Sequence, residues 1–459
     1  MAGIGFELRK IFGKNTLMSR TWGIIYASLT SVGPSLMFIF LLFTLRLIMH
    51  RCYAAELEIL FFTSSFTYAF LAAILVSAFF NTVVSRYISD KIFEKKEEDI
   101  CSSMFGILTV GSVISGIIAT VMCIMLYKNF GVPIRFLAAY YLLTVFATNV
   151  YNIITYISAL KEYKKVTFYY FSGVCASILI FFLLYKLAGW HMLLAIFWSL
   201  ATGFFLINLL LVCACVKAFG VPGSKYFEFL RYIVKYPKLL LSGFLYMFGF
   251  YLSNIIYWLF SDMSVQITIF KIAPNYDMAM FLALLVNLSG MVIFEVKTET
   301  TFYDKYIDYL SALSKGTYDL IEIKRISLQN IINLQLFFLY EVQLIITVIL
   351  ICLANIFYPY LGIGNQILNM LLILGMGLYC TFCMYFTIIF LYYFENHTAA
   401  CIGPIVFFAI VLTGSMICCI AGEPYYPLPV LAGSIAGWII SFMLLRKTLK
   451  NLNAHLLCR

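Results

Sequence analysis

Chemistry in this chain must come from a few polar groups stranded in apolar sequence. The clearest is Glu341, in the run Leu339-Tyr340-Glu341-Val342-Gln343-Leu344. It stands about ten residues, or roughly 15 Å at the rise of a helix, inside an apolar stretch. A carboxyl group there must be protonated, paired or wet. Two uses fit it equally: the wall of a hydrated pathway, with proton or cation coupling, and a structural hydrogen bond to a neighbouring helix. Asp277 follows Pro274, Asn275 and Tyr276 near the outer end of another apolar run, where it suits a vestibule or a membrane interface. Asn254 and Asn287 complete the candidate pathway set, and Asn149 and Asn152 are of the same kind. An isolated amide inside a span is more often a tie between helices than a ligand contact.

Other chemistries lack their residues. His50, His191, His397 and His455 are scattered, and no set of metal-ligand spacing joins them. Cys380 and Cys383 form a CxxC without a second ligand pair. The thirteen cysteines sit almost wholly in apolar runs and read as small packing residues. No glycine-rich phosphate loop occurs, so no ATPase module and no cofactor is expected. Asp262, Glu56 and Glu423 are too isolated for the paired carboxylates of a glycan-processing enzyme. The sequon at Asn396 falls on the inner side of the topology derived below and is discounted.

The elements that position these groups follow from composition. The chain is 63% hydrophobic and 11% charged, with a mean hydropathy of +0.97. Soluble domains carry about 25% charged residues, so lipid must solvate most of this one. Its apolar runs are continuous and about twenty residues long, which calls for helices, because a helix satisfies its own backbone in hydrocarbon. The expected fold is an all-α polytopic membrane protein of about twelve spans. The first is Thr21–Ile48, and the seventh, eighth and ninth are Leu240–Phe260, Ala273–Phe294 and Ile331–Phe357. The opening residues lack a small-residue cleavage site and are not expected to be a secretory signal.

Residues 218–239 divide the chain. They carry Lys225, Arg231, Lys235 and Lys238 beside Pro222, Gly223 and Pro237, and read as a basic linker between two six-helix halves, 1–217 and 240–459. With the N-terminus inside, all but six of the 31 lysines and arginines fall on the inner side; the six are Arg46, Arg51, Lys128, Arg135, Lys186 and Lys271. This asymmetry places both termini and the linker in the cytoplasm. It also accounts for the net charge of +10 without nucleic acid. Each half has its longest charged inner loop after its second span, as a parallel repeat would require. Gly33-Pro34 marks a kink in the first span.

Two inner segments are amphipathic. Residues 1–20 set Ile4, Phe6, Leu8, Ile11 and Phe12 against Arg9, Lys10 and Lys14. In the loop 297–325, Phe302, Tyr306, Tyr309, Leu310 and Leu313 recur at helical spacing, and Gly316 divides the segment into two helices. The loop is a capping connector or, with Phe302, Tyr306 and Tyr309 as anchors, a docking surface for a cytosolic partner.

The opening Met1-Ala2-Gly3-Ile4-Gly5-Phe6-Glu7-Leu8-Arg9-Lys10 resembles the start of the PelG family of Pel exopolysaccharide transporters, and Glu299 to Tyr306 is similar to that family's cytoplasmic segment. The resemblance spans essentially the whole chain. It implies the multidrug/oligosaccharidyl-lipid/polysaccharide (MOP) flippase superfamily, with two six-helix bundles in a V around a cavity. It further implies an amino-sugar-rich polysaccharide cargo, and a cytosolic glycosyltransferase and small membrane scaffolding subunits as partners; with no catalytic constellation in the sequence, no enzymatic activity is expected. It carries no ligand motif. The expected function is glycan export across the cytoplasmic membrane by alternating access. The alternatives are a cation-coupled small-molecule antiporter of the same fold and a membrane-embedded glycan-modifying enzyme.

Overall fold

A computed structural model describes residues 33–160, 163–297, 302–361 and 364–457. The amphipathic lead 1–20, the opening decapeptide, the start of the first expected span and Glu299 to Thr301 lie outside the described residues. Eleven described helices are long and apolar enough to cross a membrane, and the chain is a multi-pass membrane protein.

The contacts divide it into two units. The first holds Val32–Leu240 and Val265–Ile272, the second Leu241–Ser264 and Ala273 onward. The first unit contains α1 (Gly33–Arg51), α2 (Glu56–Phe93), α3 (Glu97–Phe130), α4 (Ile134–Leu160), α5 (Tyr163–Phe182, closing in a π-type turn), α6 (Met192–Phe219) and the short α7 (Phe229–Lys235). The second contains α8 (Pro237–Phe260), α9 (Pro274–Lys297), α10 (Tyr303–Lys315), α11 (Tyr318–Leu361), α12 (Asn365–Tyr393), α13 (His397–Ala421), α14 (Leu428–Lys450) and α15 (Leu452–Leu457).

The same packing order recurs in both units. In the first, α4 is the hub against α2, α3 and α6, while α5 leans on α6. In the second, α12 is the hub against α9, α11 and α14, while α13 leans on α14. This is the order of a parallel repeat, in which the fourth span of each half is the most enclosed. Glycines permit the closest approach at the corresponding fifth–sixth pairs. A β-carbon at Gly203 of α6 would run into Ser177 Oγ of α5, and one at Gly403 of α13 would run into Ser441 Oγ of α14. Lipid supplies no hydrophobic drive between helices, so close backbone packing replaces it.

Several helices outrun the bilayer. α2 has 38 residues and α11 has 44, about 57 and 66 Å at 1.5 Å per residue, against a hydrocarbon core of roughly 30 Å. The ninth expected span is therefore only the later part of α11. No glycine or proline interrupts that helix between Tyr318 and Pro359, and its polar first turns pair among themselves. Arg325 Nε donates to Glu322 at 2.9 Å and its Nη1 to Gln329 at 3.2 Å.

The basic linker packs into the first unit. Lys91 of α2, only 4% exposed, lies 3.3 Å from Glu228 and 3.5 Å from Asp99, and Lys225 lies 3.2 Å from Asp99. Tyr87 donates to Glu228 at 3.2 Å, and Phe229 is fully buried. Arg86 sits over the Tyr236 ring. The linker is thus fastened along the ends of α2 and α3 through Lys225, Glu228, Phe229 and Tyr236. In the same network Glu94 is held below the usual carboxylate range by hydrogen bonds from Lys96 and Lys91.

One element departs from the expected division at residue 240. Between α8 and α9 the chain forms a hairpin, β1 (Val265–Ile267) and β2 (Phe270–Ile272), with Gln266 opposite Lys271. It belongs to the first unit. Phe270 is fully buried among Phe61, Tyr68 and Tyr140, and Tyr68 donates to the Lys271 carbonyl at 2.9 Å. Thr268 turns the hairpin at φ 58°, a left-handed conformation that a β-branched residue rarely adopts.

Candidate functional site

Two of the four expected pathway residues meet. Asn254 and Trp258 stand one turn apart on α8, so both point the same way. Asp277, in the first turn of α9, receives them. Asn254 Nδ2 donates to its Oδ1 at 2.7 Å, Trp258 Nε1 lies 2.9 Å from both carboxylate oxygens, and the Ala273 amide donates to Oδ2 at 3.1 Å. Among the described residues no lysine or arginine pairs with Asp277, so neutral donors and the start of α9 hold it. Carboxylates are favoured at such helix ends. Asn254 is 7% exposed, and its Oδ1 has no hydrogen-bond partner. The cluster therefore keeps one unspent acceptor beside a carboxylate.

Behind it stands an aromatic block. Tyr276 is fully buried and donates to Ser253 at 2.9 Å. Tyr257 meets Tyr276 edge-on at 4.7 Å, stacks on Tyr426 at 4.3 Å and donates to the Tyr426 carbonyl. These contacts fix the helix faces that present Asn254 and Asp277. Sequence reasoning missed Trp258; its spacing of four from Asn254 was the available signal.

Asn287 is placed differently. It is fully buried and all its hydrogen-bonding capacity is engaged. Its Nδ2 donates to the Ala283 and Gly375 carbonyls at 2.9 and 3.1 Å, and its Oδ1 accepts from Gln343 at 3.2 Å and Thr347 at 3.1 Å. In this arrangement no donor or acceptor of the amide is left for a ligand, and it joins α9, α11 and α12. Asn287→Ala would remove the amide's hydrogen bonds to Gln343, Thr347 and the Gly375 carbonyl together, at a cost of roughly 2 kcal/mol. The expected result is a lower melting temperature in detergent with unchanged export per folded molecule. Normal melting with lost export would return Asn287 to the pathway.

Glu341 stands apart from both clusters. Gln343 and Thr347 occupy the buried face of α11, whereas Glu341 lies on the exposed face with Leu334, Phe337, Phe338, Ile345 and Val348. The exposed residues beside it on that face are apolar. A groove of about 700 Å³ between α3 and α4, with Ser112, Thr120 and Tyr141 in its lining, contains none of the expected residues and no ionisable carboxylate or base.

The proposed docking aromatics face inward. Phe302 and Tyr309 are fully buried. Phe302 packs on Phe390, Tyr393 and Tyr306, Tyr306 donates to the Tyr393 carbonyl, and Tyr309 donates to Asn453 at 2.8 Å. Burial pushes the Tyr309 phenol up to about 12, which keeps it a donor. The helical spacing and the break at Gly316 match α10 and the start of α11, but these three rings hold α10 to its own unit. A partner would meet the opposite face, where Asp304, Ile307 and Ser311 are exposed.

Among the described residues no group of three histidines, cysteines or acids is placed to hold a metal ion, and all described cysteines are free thiols. No curated protein matches the chain. Solved structures match its fold at low identity. An outward-facing multidrug resistance MATE family transporter of the MOP superfamily aligns with a TM-score of 0.65 and 11% identity, over 94% of this chain and 96% of that one. A MOP superfamily transporter from Pyrococcus furiosus gives 0.63 and 12%, over 93% and 96%. The eukaryotic MATE transporter AtDTX14 gives 0.54 and 11%, over 94% and 98%. The chain therefore shares its fold with these MOP superfamily transporters. Residues 1–456 match the family described as PelG, exopolysaccharide exporter (EPS-E), and with that match over nearly its whole length the chain belongs to the PelG family of exopolysaccharide exporters, a transporter and not an enzyme.

Proposed function

We propose that this protein carries a Pel-type, amino-sugar-rich glycan across the cytoplasmic membrane by alternating access of its two bundles. Both termini and the basic linker lie on the cytoplasmic side in this reading, as the distribution of lysine and arginine requires. A cytosolic glycosyltransferase supplies the glycan and small membrane scaffolding proteins accompany the transporter. Asp277 and Asn254, with Trp258, form a polar contact point on the path.

The observation that carries the reading beyond the family is the unspent acceptor at Asn254 Oδ1 beside the Asp277 carboxylate. Sugar hydroxyls and ammonium groups are donors, and a carboxylate with a free amide oxygen suits both.

Deleting the gene in its host tests the proposal. The expected outcome is loss of surface glycan with polymer or lipid-linked precursor retained inside the cell. Unchanged surface glycan contradicts it. Increased drug sensitivity with normal surface glycan would point instead to small-molecule antiport.

A further inference from the structure

The exposed face of α11 poses a problem that the transport reading does not solve. Leu334 is 71% exposed and Ile345 58%, and Phe337, Phe338, Val348 and Ile349 belong to the same stripe. Such a stripe alone is what lipid contact produces. Glu341 sits in its middle, exposed and with no hydrogen bond or ion pair among the described residues. It lies sixteen positions beyond Arg325, about 24 Å along the helix, and so deep within the membrane-crossing part. A charged carboxylate at that depth is not tolerated against lipid tails; such a residue is protonated, paired or wet. Its apolar neighbours argue against water.

No described residue pairs with it, so a partner that keeps it charged comes from outside the described fold. A lipid amine stays at the headgroup level, roughly 15 Å from the bilayer centre. A second copy docking through the same stripe about a two-fold axis would bring Glu341 onto Glu341, like charge on like. At mid-bilayer only a helix can deliver a donor without exposing its own backbone. We infer that the stripe of α11 centred on Glu341 is an intramembrane docking surface for a transmembrane helix of a different protein, and that this helix carries a lysine or arginine at the depth of Glu341. The aliphatic and phenylalanine side chains around Glu341 give that helix an apolar bed, and the desolvated ion pair fixes its register.

The test uses the full-length protein in its native membranes. A photoreactive amino acid replaces Ile345, one turn from Glu341, and a control probe replaces Val113 on the exposed face of α3. The expected result is one adduct, from Ile345 and not Val113, to a membrane protein other than this chain, with a lysine or arginine within a turn of the crosslinked position. Glu341→Lys is expected to lower that adduct at least about tenfold, because truncating or reversing one partner of a desolvated charge pair is costly. Changing the partner's cation to glutamate should restore it. If Glu341→Lys does not insert, Glu341→Ala, which lipid accepts, should show the same loss at normal protein level. An adduct to lipid alone, to a second copy, or to a helix without a cation overturns the inference. So does an adduct that survives both Glu341 variants.

Discussion

Asp277→Ala is expected to reduce surface glycan at least about tenfold per transporter molecule, a loss of about 1.4 kcal/mol or more in the export step. Three neutral donors converge on this carboxylate from α8 and from the turn before α9. Removing it leaves Trp258 Nε1 and Asn254 Nδ2 facing an empty position, so some instability accompanies the change. Trp258→Phe separates the two effects. It removes the indole donor, keeps an aromatic ring and leaves the carboxylate in place. If Asp277 acts on cargo, Trp258→Phe should retain most export while Asp277→Ala loses it, with both quantified against folded protein in the membrane. Equal export per folded molecule in Asp277→Ala and the unaltered protein would remove the cluster from the pathway.

The largest expected effect on stability lies at Lys91. Its ammonium serves Glu94, Asp99 and Glu228 at 3.3 to 3.5 Å from a nearly buried position. Losing one partner of a buried ion pair costs 3 to 5 kcal/mol as a rule of thumb, about as much as many domains can spare. Lys225 still reaches Asp99, which limits the loss to about 3 kcal/mol for Lys91→Met. Melting of the purified protein in detergent should fall by several degrees, and the linker around Glu228 should become accessible to protease. Lys96→Met removes only an exposed contact to Glu94, 2.9 Å long, and should leave melting within experimental scatter. Adding Glu228→Gln to Lys91→Met should recover part of the stability, since the unpaired acid causes the loss. Equal melting of Lys91→Met and Lys96→Met would show that the network does not fasten the linker.

How far the sequence revealed this protein depends on the range of the interactions involved. Apolar runs without breakers announce helices directly, because lipid leaves the backbone no other partner. The break at Gly316 and the helical spacing of Phe302, Tyr306 and Tyr309 were visible for the same local reason. Their direction was not, since an amphipathic helix shows that it has an apolar face without showing what covers it. The hairpin from Val265 to Ile272 escaped notice because its strands are three residues long and its turn lacks Asn-Gly or Asp-Gly. What holds it is Tyr68, two hundred positions earlier. Asn254 and Asp277 were each legible as polar groups in spans. That they share a hydrogen bond, and that Asn287 instead spends every donor and acceptor on packing, depends on which helix faces meet, and one sequence does not contain that.

Sealed inside-out membrane vesicles give the most direct test of export through the Asp277 cluster. Vesicles with the unaltered protein, supplied with the polymerising glycosyltransferase and its sugar nucleotide, should accumulate glycan that an added glycosidase cannot reach until detergent opens them. Vesicles with Asp277→Ala at equal protein level should leave the glycan outside and fully digestible. Equal protection in the two preparations, or none with the unaltered protein, would contradict the account.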